Sequence, residues 1–170
     1  MTSPSPQPLR IGVLTVSDTR SLGEGLDASG QAIKDWCVDQ GHVLVVSEVV
    51  SDQTEVIIPV LLRWADGGDV DVVLTTGGTG FGPRDVTPEA TGTVLERRAP
   101  GLSEAIRRRG EAETPYASLS RGLAGFRGNV FLANLPGSPG GVRDGLQVLA
   151  PLVHHLVGLL RGSDTPHRQS

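Results

Sequence analysis

The chain has 170 residues and a formal net charge of −4, with a single cysteine among them. That length is one domain's worth of chain, and the acidic balance argues against a general nucleic-acid or membrane-surface binder, which would carry a basic excess. The lone Cys37 excludes an intramolecular disulfide and any multi-cysteine zinc site, which suits a reducing compartment.

The opening MTSPSPQP lacks the basic start and apolar run of a signal peptide, and no stretch approaches the about 18 consecutive apolar residues of a membrane span. A soluble, cytoplasmic protein with a flexible tail over residues 1–8 is therefore expected. LRIGVLTV (9–16) predicts a first strand, followed by Ser17 and Asp18. SGQAIKDWCVDQG predicts a helix capped by Ser29 and closed by Gly41, and HVLVVSEVV (42–50) a second strand followed by Ser51 and Asp52. TEVIIPVLLRWADGG predicts a second helix with Asp52 as candidate cap, Gly67 as its end and Pro59 as a kink or restart. A third strand is VDVVLTT (70–76). TPEATGTVLERR, capped by Thr87 with Pro88 as first helical residue, and GLSEAIRRRG give further helices. NVFLANL (129–135) is the fourth strand, SPGGVRDGLQVLAPLVHHLVGLLRG a C-terminal helix, and residues 163–170 a frayed tail.

All four strands are mostly continuous apolar runs of the kind a parallel sheet buries on both faces. Alternating with helices, they predict a three-layer, doubly wound α/β domain with a mostly parallel central sheet over residues 9–162. Ligands of such domains sit at the carboxyl ends of the strands. Four loops fall on that rim: Ser17 and Asp18, Ser51 and Asp52, Gly77 to Asp85, and Pro136 to Gly140. Singly, Asp18 and Asp52 also read as caps and LPGSPGG as a proline-braced turn. Their convergence favours a site.

The third loop carries the most information. In LTTGGTGFGPRDVTPEA (74–90) a strand runs into Gly77, Gly78, Gly80 and Gly82, then an Arg84-Asp85 pair, then a helix start. Glycines permit left-handed turns and close approach of backbone N–H groups, and a helix N-terminus attracts anions, so the loop suits phosphate. It is no Walker loop, because the only lysine, Lys34, lies elsewhere; the GxGxG spacing after the third strand is also a poor dinucleotide fingerprint. Arg84 can supply positive charge, Asp52 and Asp85 two carboxylates for a hydrated Mg²⁺ on a triphosphate, and the Ser138 hydroxyl a donor to anionic oxygens.

TVSDTR (15–20), DASG (27–30), SDQ (51–53), TTGGTGFGPRDVTPEA (75–90), PGLSEAIR (100–107), TPYASLSRGLAG (114–125) and LPGSPGG (135–141) together resemble the molybdopterin adenylyltransferases of molybdenum cofactor biosynthesis, of bacterial MogA and MoaB type, similar also to the G domain of gephyrin. The resemblance implies a molybdenum cofactor biosynthesis domain-like fold and transfer of AMP from Mg-ATP to the terminal phosphate of molybdopterin, with pyrophosphate released. It implies a homotrimer that transfers its product to a molybdenum insertase. Asp52 and Asp85 match the aspartates most often tied to catalytic activity in the family. Thr76, Gly77, Gly78, Thr79 and Gly80 match its nucleotide and pterin phosphate loop, with Ser17, Asp18, Arg84, Arg121, Pro136, Gly137 and Ser138 around it. Molybdenum insertases carry something similar to GGVSVG and competence-protein-like pyrophosphatases something like GGLGPTxDD, whereas this chain has GGTGFGPRD. Some MoaB-type proteins are silent and have an altered RDVTPEA segment, which is intact here. The alternatives are therefore a non-catalytic molybdopterin-binding trimer and a nucleotide pyrophosphatase.

Three other features read as structural. Arg107-Arg108-Arg109 is a solvated helix face. His154 and His155 project about 100° apart on a helix and cannot form the i, i+4 face of a helical zinc site. Trp36 and Trp64 fall at core-facing positions.

Overall fold

A computed structural model of the chain describes residues 6–163; residues 1–5 and 164–170, which hold most of the two expected tails, lie outside it. The elements in chain order are β1 (Arg10–Val16), α1 (Asp18–Ser21), α2 (Ala28–Asp39), β2 (Val43–Val50), α3 (Thr54–Asp66), β3 (Val72–Thr76) and α4 (Thr87–Val94). They are followed by β4 (Arg97–Arg98), α5 (Pro100–Glu111), a 3-10 turn (Pro115–Leu119), β5 (Ala124–Arg127), β6 (Val130–Leu135), α6 (Pro139–Leu149) and α7 (Val153–Leu160).

The strands form one sheet in the order β2-β1-β3-β6-β5-β4, parallel across β2, β1, β3 and β6 and antiparallel across β6, β5 and β4. Strand alternation sends successive side chains to opposite faces, and each face meets a helical layer. Ile11, Val13, Val72, Leu74, Phe131 and Ala133 pack with α2, α5, α6 and α7. Leu14, Val73 and Leu132 pack with α3 and α4, including Ile57, Leu61 and Trp64. The predicted three-layer arrangement with a mostly parallel sheet is therefore the observed one.

Several local expectations are corrected. β2 is an edge strand rather than a central one, and Val43, Leu44, Val45 and Val49 are 38–50 % exposed. Asp27, not Ser29, caps α2, accepting the Gly30 N–H at 2.9 Å. α3 begins behind Gln53 without a side-chain cap and runs unbroken through Pro59, because a single missing N–H leaves the rest of the ladder intact. The helix predicted over residues 87–98 stops at Val94: Glu96 N–H bonds Phe126 O at 2.9 Å and Ala99 N–H bonds Ala124 O at 2.8 Å, so the sheet claims that backbone as β4. The C-terminal helix is two helices. Pro151 falls just beyond α6, where it can neither donate to the ladder nor clear the preceding turn. Among the described residues, no helix is long and apolar enough to cross a membrane.

The tryptophans are placed in packing roles, but the expected solvated face of Arg107-Arg108-Arg109 is corrected: only Arg108 is exposed, while Arg107 and Arg109 are half-buried and held by partners. Trp64 is buried under the sheet, and the Trp36 ring lies tilted against His42 with centroids 5.1 Å apart; His42 in turn lies 5.1 Å from His154. Arg107 bonds Ser120 O and Gly122 O, and Arg109 pairs with Glu113 and Asp144.

Candidate functional site

β1, β2, β3 and β6 end side by side, which brings the four loops after them to one rim. Gly77 follows β3 with a φ of 95°, and a Cβ there would run into the Val16 carbonyl. Gly78 follows with a φ of 65°; a Cβ there would meet Thr87 Oγ1 and sit 2.9 Å from Asp52 Oδ1. Both positions need glycine twice over, for a left-handed backbone and for space. Gly80 and Gly82 differ from expectation: neither has positive φ, and each is kept small by the Asp85 carboxylate, whose Oδ2 would lie 2.9 Å from an added Cβ.

Thr87 is the first residue of α4 rather than its cap. Fully buried, it donates its hydroxyl to Gly77 O at 2.9 Å and its N–H to Gly78 O at 3.1 Å, pinning the helix start to the loop. Asp85 closes the far side, accepting the Gly82 N–H on Oδ2 at 2.8 Å and donating its own N–H to Gly82 O at 3.0 Å.

Asp52 reaches across to β1. Its Oδ2 accepts the Asp18 N–H at 2.8 Å, and Asp18 Oδ1 accepts the Asp52 N–H at 3.0 Å. That reciprocal pair, which displaces the expected cap role, locks the loops after β1 and β2 together. Arg84 joins it, donating Nε and Nη2 to the two oxygens of Asp18 at 2.9 and 3.0 Å. Asp18 is held below its ordinary value, first by that guanidinium and then by the Asp52 N–H. Asp52 is pushed above its ordinary value, first by burial and then by the charges of Asp18 and Asp85, against a hydrogen bond from Asp18. Negative charge is thus crowded at Asp52, while the compensating Arg84 sits one residue away on Asp18.

Such crowding suits a divalent cation. Asp52 and Asp85 each commit Oδ2 to a backbone N–H, and no hydrogen bond among the described residues reaches either Oδ1. No cluster of three or more His, Cys, Asp or Glu side chains among the described residues can hold a metal. A pair of carboxylates without a full cage fits Mg²⁺, which keeps waters and shares its shell with substrate phosphates.

The remaining predicted residues divide. Thr76 is buried and spends its hydroxyl on Pro136 O at 2.6 Å, so it ties the third loop to the fourth. Ser138 caps α6, accepting the Gly141 N–H at 3.1 Å, and Ser17 caps α1, accepting the Arg20 N–H at 3.3 Å. Arg121 lies under the glycine loop, held by main-chain carbonyls of Gly80 and Asp85. Thr79, Gly80, Pro136 and Ser138 open onto a cavity of about 600 Å³ whose other walls include Arg107 and Tyr116. Gly137 and Ser17 instead line a smaller hollow of about 200 Å³. That hollow contains Asp27, which the sequence left unassigned, and Ser29, which it read as a helix cap. Asp27 accepts the Thr15 hydroxyl at 2.6 Å, and Ser29 donates to Gly137 O at 2.6 Å. The DASG motif marked the segment, but only the fold reveals what Asp27 and Ser29 touch.

Residues 12–155 match the family described as the probable molybdopterin binding domain. The chain is 37 % identical over 159 residues to a molybdopterin adenylyltransferase of Helicobacter pylori, covering 92 % of this chain and 90 % of that one. It is 41 % identical over 153 residues to the molybdenum cofactor synthesis protein cinnamon of Drosophila melanogaster, covering 89 % of this chain but 26 % of that protein. The chain thus spans about a quarter of the length of this longer relative. The crystal structure of the molybdopterin biosynthesis enzyme MoaB from Thermus thermophilus superposes with a TM-score of 0.85 at 44 % identity, covering 91 % of this chain and 97 % of that one.

Proposed function

The chain belongs to the molybdopterin-binding domain family, and from that premise we propose that it serves molybdenum cofactor biosynthesis as a molybdopterin adenylyltransferase. The observation that carries the reading is the glycine loop with Asp52 and Asp85 beside it, opening onto a cavity large enough for a pterin. A terminal phosphate oxygen of molybdopterin attacks the α-phosphorus of ATP, the bond from that phosphorus to the bridging oxygen breaks, and pyrophosphate leaves. The phosphate dianion is already a nucleophile, so the reaction needs no Ser, Cys or His triad.

What the chain supplies is position and charge. Backbone N–H groups of Gly77 to Gly80 face the phosphates, and Arg84 exchanges Asp18 for an incoming phosphate oxygen. Asp52 and Asp85 would hold Mg²⁺, which would offset charge on the pyrophosphate leaving group. Pro136, Gly137 and Ser138 close the opposite side of the site. The exposed apolar stripe of β2 supports association into a homotrimer, which light scattering would report as three times the chain mass. The adenylylated product passes to a molybdenum insertase in the cytoplasm.

The test is incubation of the protein with molybdopterin and ATP, with and without a chelator. Adenylylated molybdopterin and pyrophosphate in equal amounts, both abolished by chelation, are expected. Bound molybdopterin without product would establish the silent alternative, and ATP cleavage without transfer the pyrophosphatase.

A further inference from the structure

We infer that Arg121 is a positioning residue for this transfer: it fixes the Thr79–Asp85 loop and, through the loop backbone, the place of the Asp85 carboxylate. The inference rests on the adenylyl-transfer reading above. Arg121 comes from the extended segment between the 3-10 turn and β5. Its main-chain N–H bonds Thr79 O at 2.8 Å. Its Nε bonds Gly80 O at 2.8 Å, and its Nη2 bonds Asp85 O at 2.8 Å. Nη1 pairs with Glu89 Oε1 in the first turn of α4, and Nη2 reaches Glu89 Oε2 at 3.4 Å. The guanidinium carbon lies 5.4 Å from the centre of the Phe81 ring at the loop tip.

One planar group therefore touches the loop's entry, its tip, its exit and the helix that follows. Within the loop, Asp85 N–H to Gly82 O and Gly82 N–H to Asp85 Oδ2 form one small ring, and nothing in that ring fixes its orientation on the domain. Arg121 does, because its donors diverge in a rigid fork that a lysine ammonium cannot imitate. It is itself braced from behind, since Arg107 Nη1 bonds both Ser120 O and Gly122 O, at 3.2 and 3.1 Å. Arg84 and Arg121 thus divide the work. Arg84, 58 % exposed and paired with a partly exposed Asp18, can move to a phosphate. Arg121 is committed to the backbone and is not a phosphate ligand.

The experiment compares native protein with Arg121→Lys and the milder Glu89→Gln, using the full chain. Amide hydrogen exchange is followed in peptides covering residues 77–87, and transfer is measured on the same samples. Arg121→Lys should speed loop exchange by about tenfold and lower kcat by about 10- to 100-fold, with KM for ATP and molybdopterin within about threefold of native. Glu89→Gln should shift both in the same direction and less. Unchanged loop exchange in Arg121→Lys would overturn the inference whether or not the protein proves to be the transferase. A raised KM for ATP with unchanged exchange would also overturn it and make Arg121 a phosphate ligand. If native protein makes no product, the reaction reading fails, and the exchange data alone decide whether the clamp is real.

Discussion

Two aspartates at opposite ends of the same sheet show how this fold separates holding from doing. Asp71, just before β3, is 3 % exposed and receives the Arg10 N–H at 2.8 Å, Arg10 Nη2 at 2.9 Å and Arg161 Nη2 at 2.6 Å. Burial opposes its ionisation, yet the two arginines hold it below its ordinary value. Asp52, just after β2, is partly buried among Asp18 and Asp85 and is raised. A carboxylate whose charge is answered in full ties β1, β3 and the end of α7 together. One whose charge is crowded by two other carboxylates is, on the proposed function, the one that would meet a cation and its phosphates.

The contrast predicts opposite phenotypes. Asp52→Asn should lower adenylyl transfer by about 100-fold or more, by weakening the metal site, while the melting temperature stays the same or rises slightly as charge crowding is relieved. Asp71→Asn should leave transfer per folded molecule unchanged and cost about 2–3 kcal/mol, read as a fall of about 5–10 °C in melting temperature. Equal loss of stability in both variants would erase the distinction.

Acid titration sharpens the comparison. The folded pKa of Asp71 lies below its unfolded value, so its contribution is complete above the unfolded value and is lost as pH falls through the folded one. Asp52 has the reverse sign: its folded pKa is raised, so the folded state binds the proton more tightly and stability falls as pH rises from the unfolded value through the folded one. Melting temperature followed from pH 6 downward should therefore fall less steeply in Asp71→Asn than in native protein, and more steeply in Asp52→Asn. The smallest effect expected is in Arg161→Gln, which leaves Asp71 its Arg10 contacts and should cost about 1 kcal/mol by the same melts.

The parts of this molecule legible in its sequence are those whose cause is local. β1, β3 and β6 announce themselves because central parallel strands are continuous apolar runs, and the glycine loop because a left-handed backbone at Gly77 and Gly78 demands glycine. β4 and β5 escaped notice: two arginines and AGFR have no pattern of their own and become strands only by pairing with each other and with β6. The same holds at the site. That Asp52 and Asp85 belong near the loop was readable, but the Asp18–Asp52 exchange of backbone bonds joins residues 34 apart, and the Arg121 clamp spans 36 to Asp85. Glu89 carried no sequence signal of a partner; the pairing with Arg121 joins residues brought together only by the fold.

The most direct measurement is Mg²⁺-dependent formation of adenylylated molybdopterin by native protein and by Asp85→Asn at matched folding. Product from the native protein, reduced at least about 100-fold in the variant with binding of molybdopterin retained, is the predicted result. Equal product from both, or none from the native protein, would contradict the account.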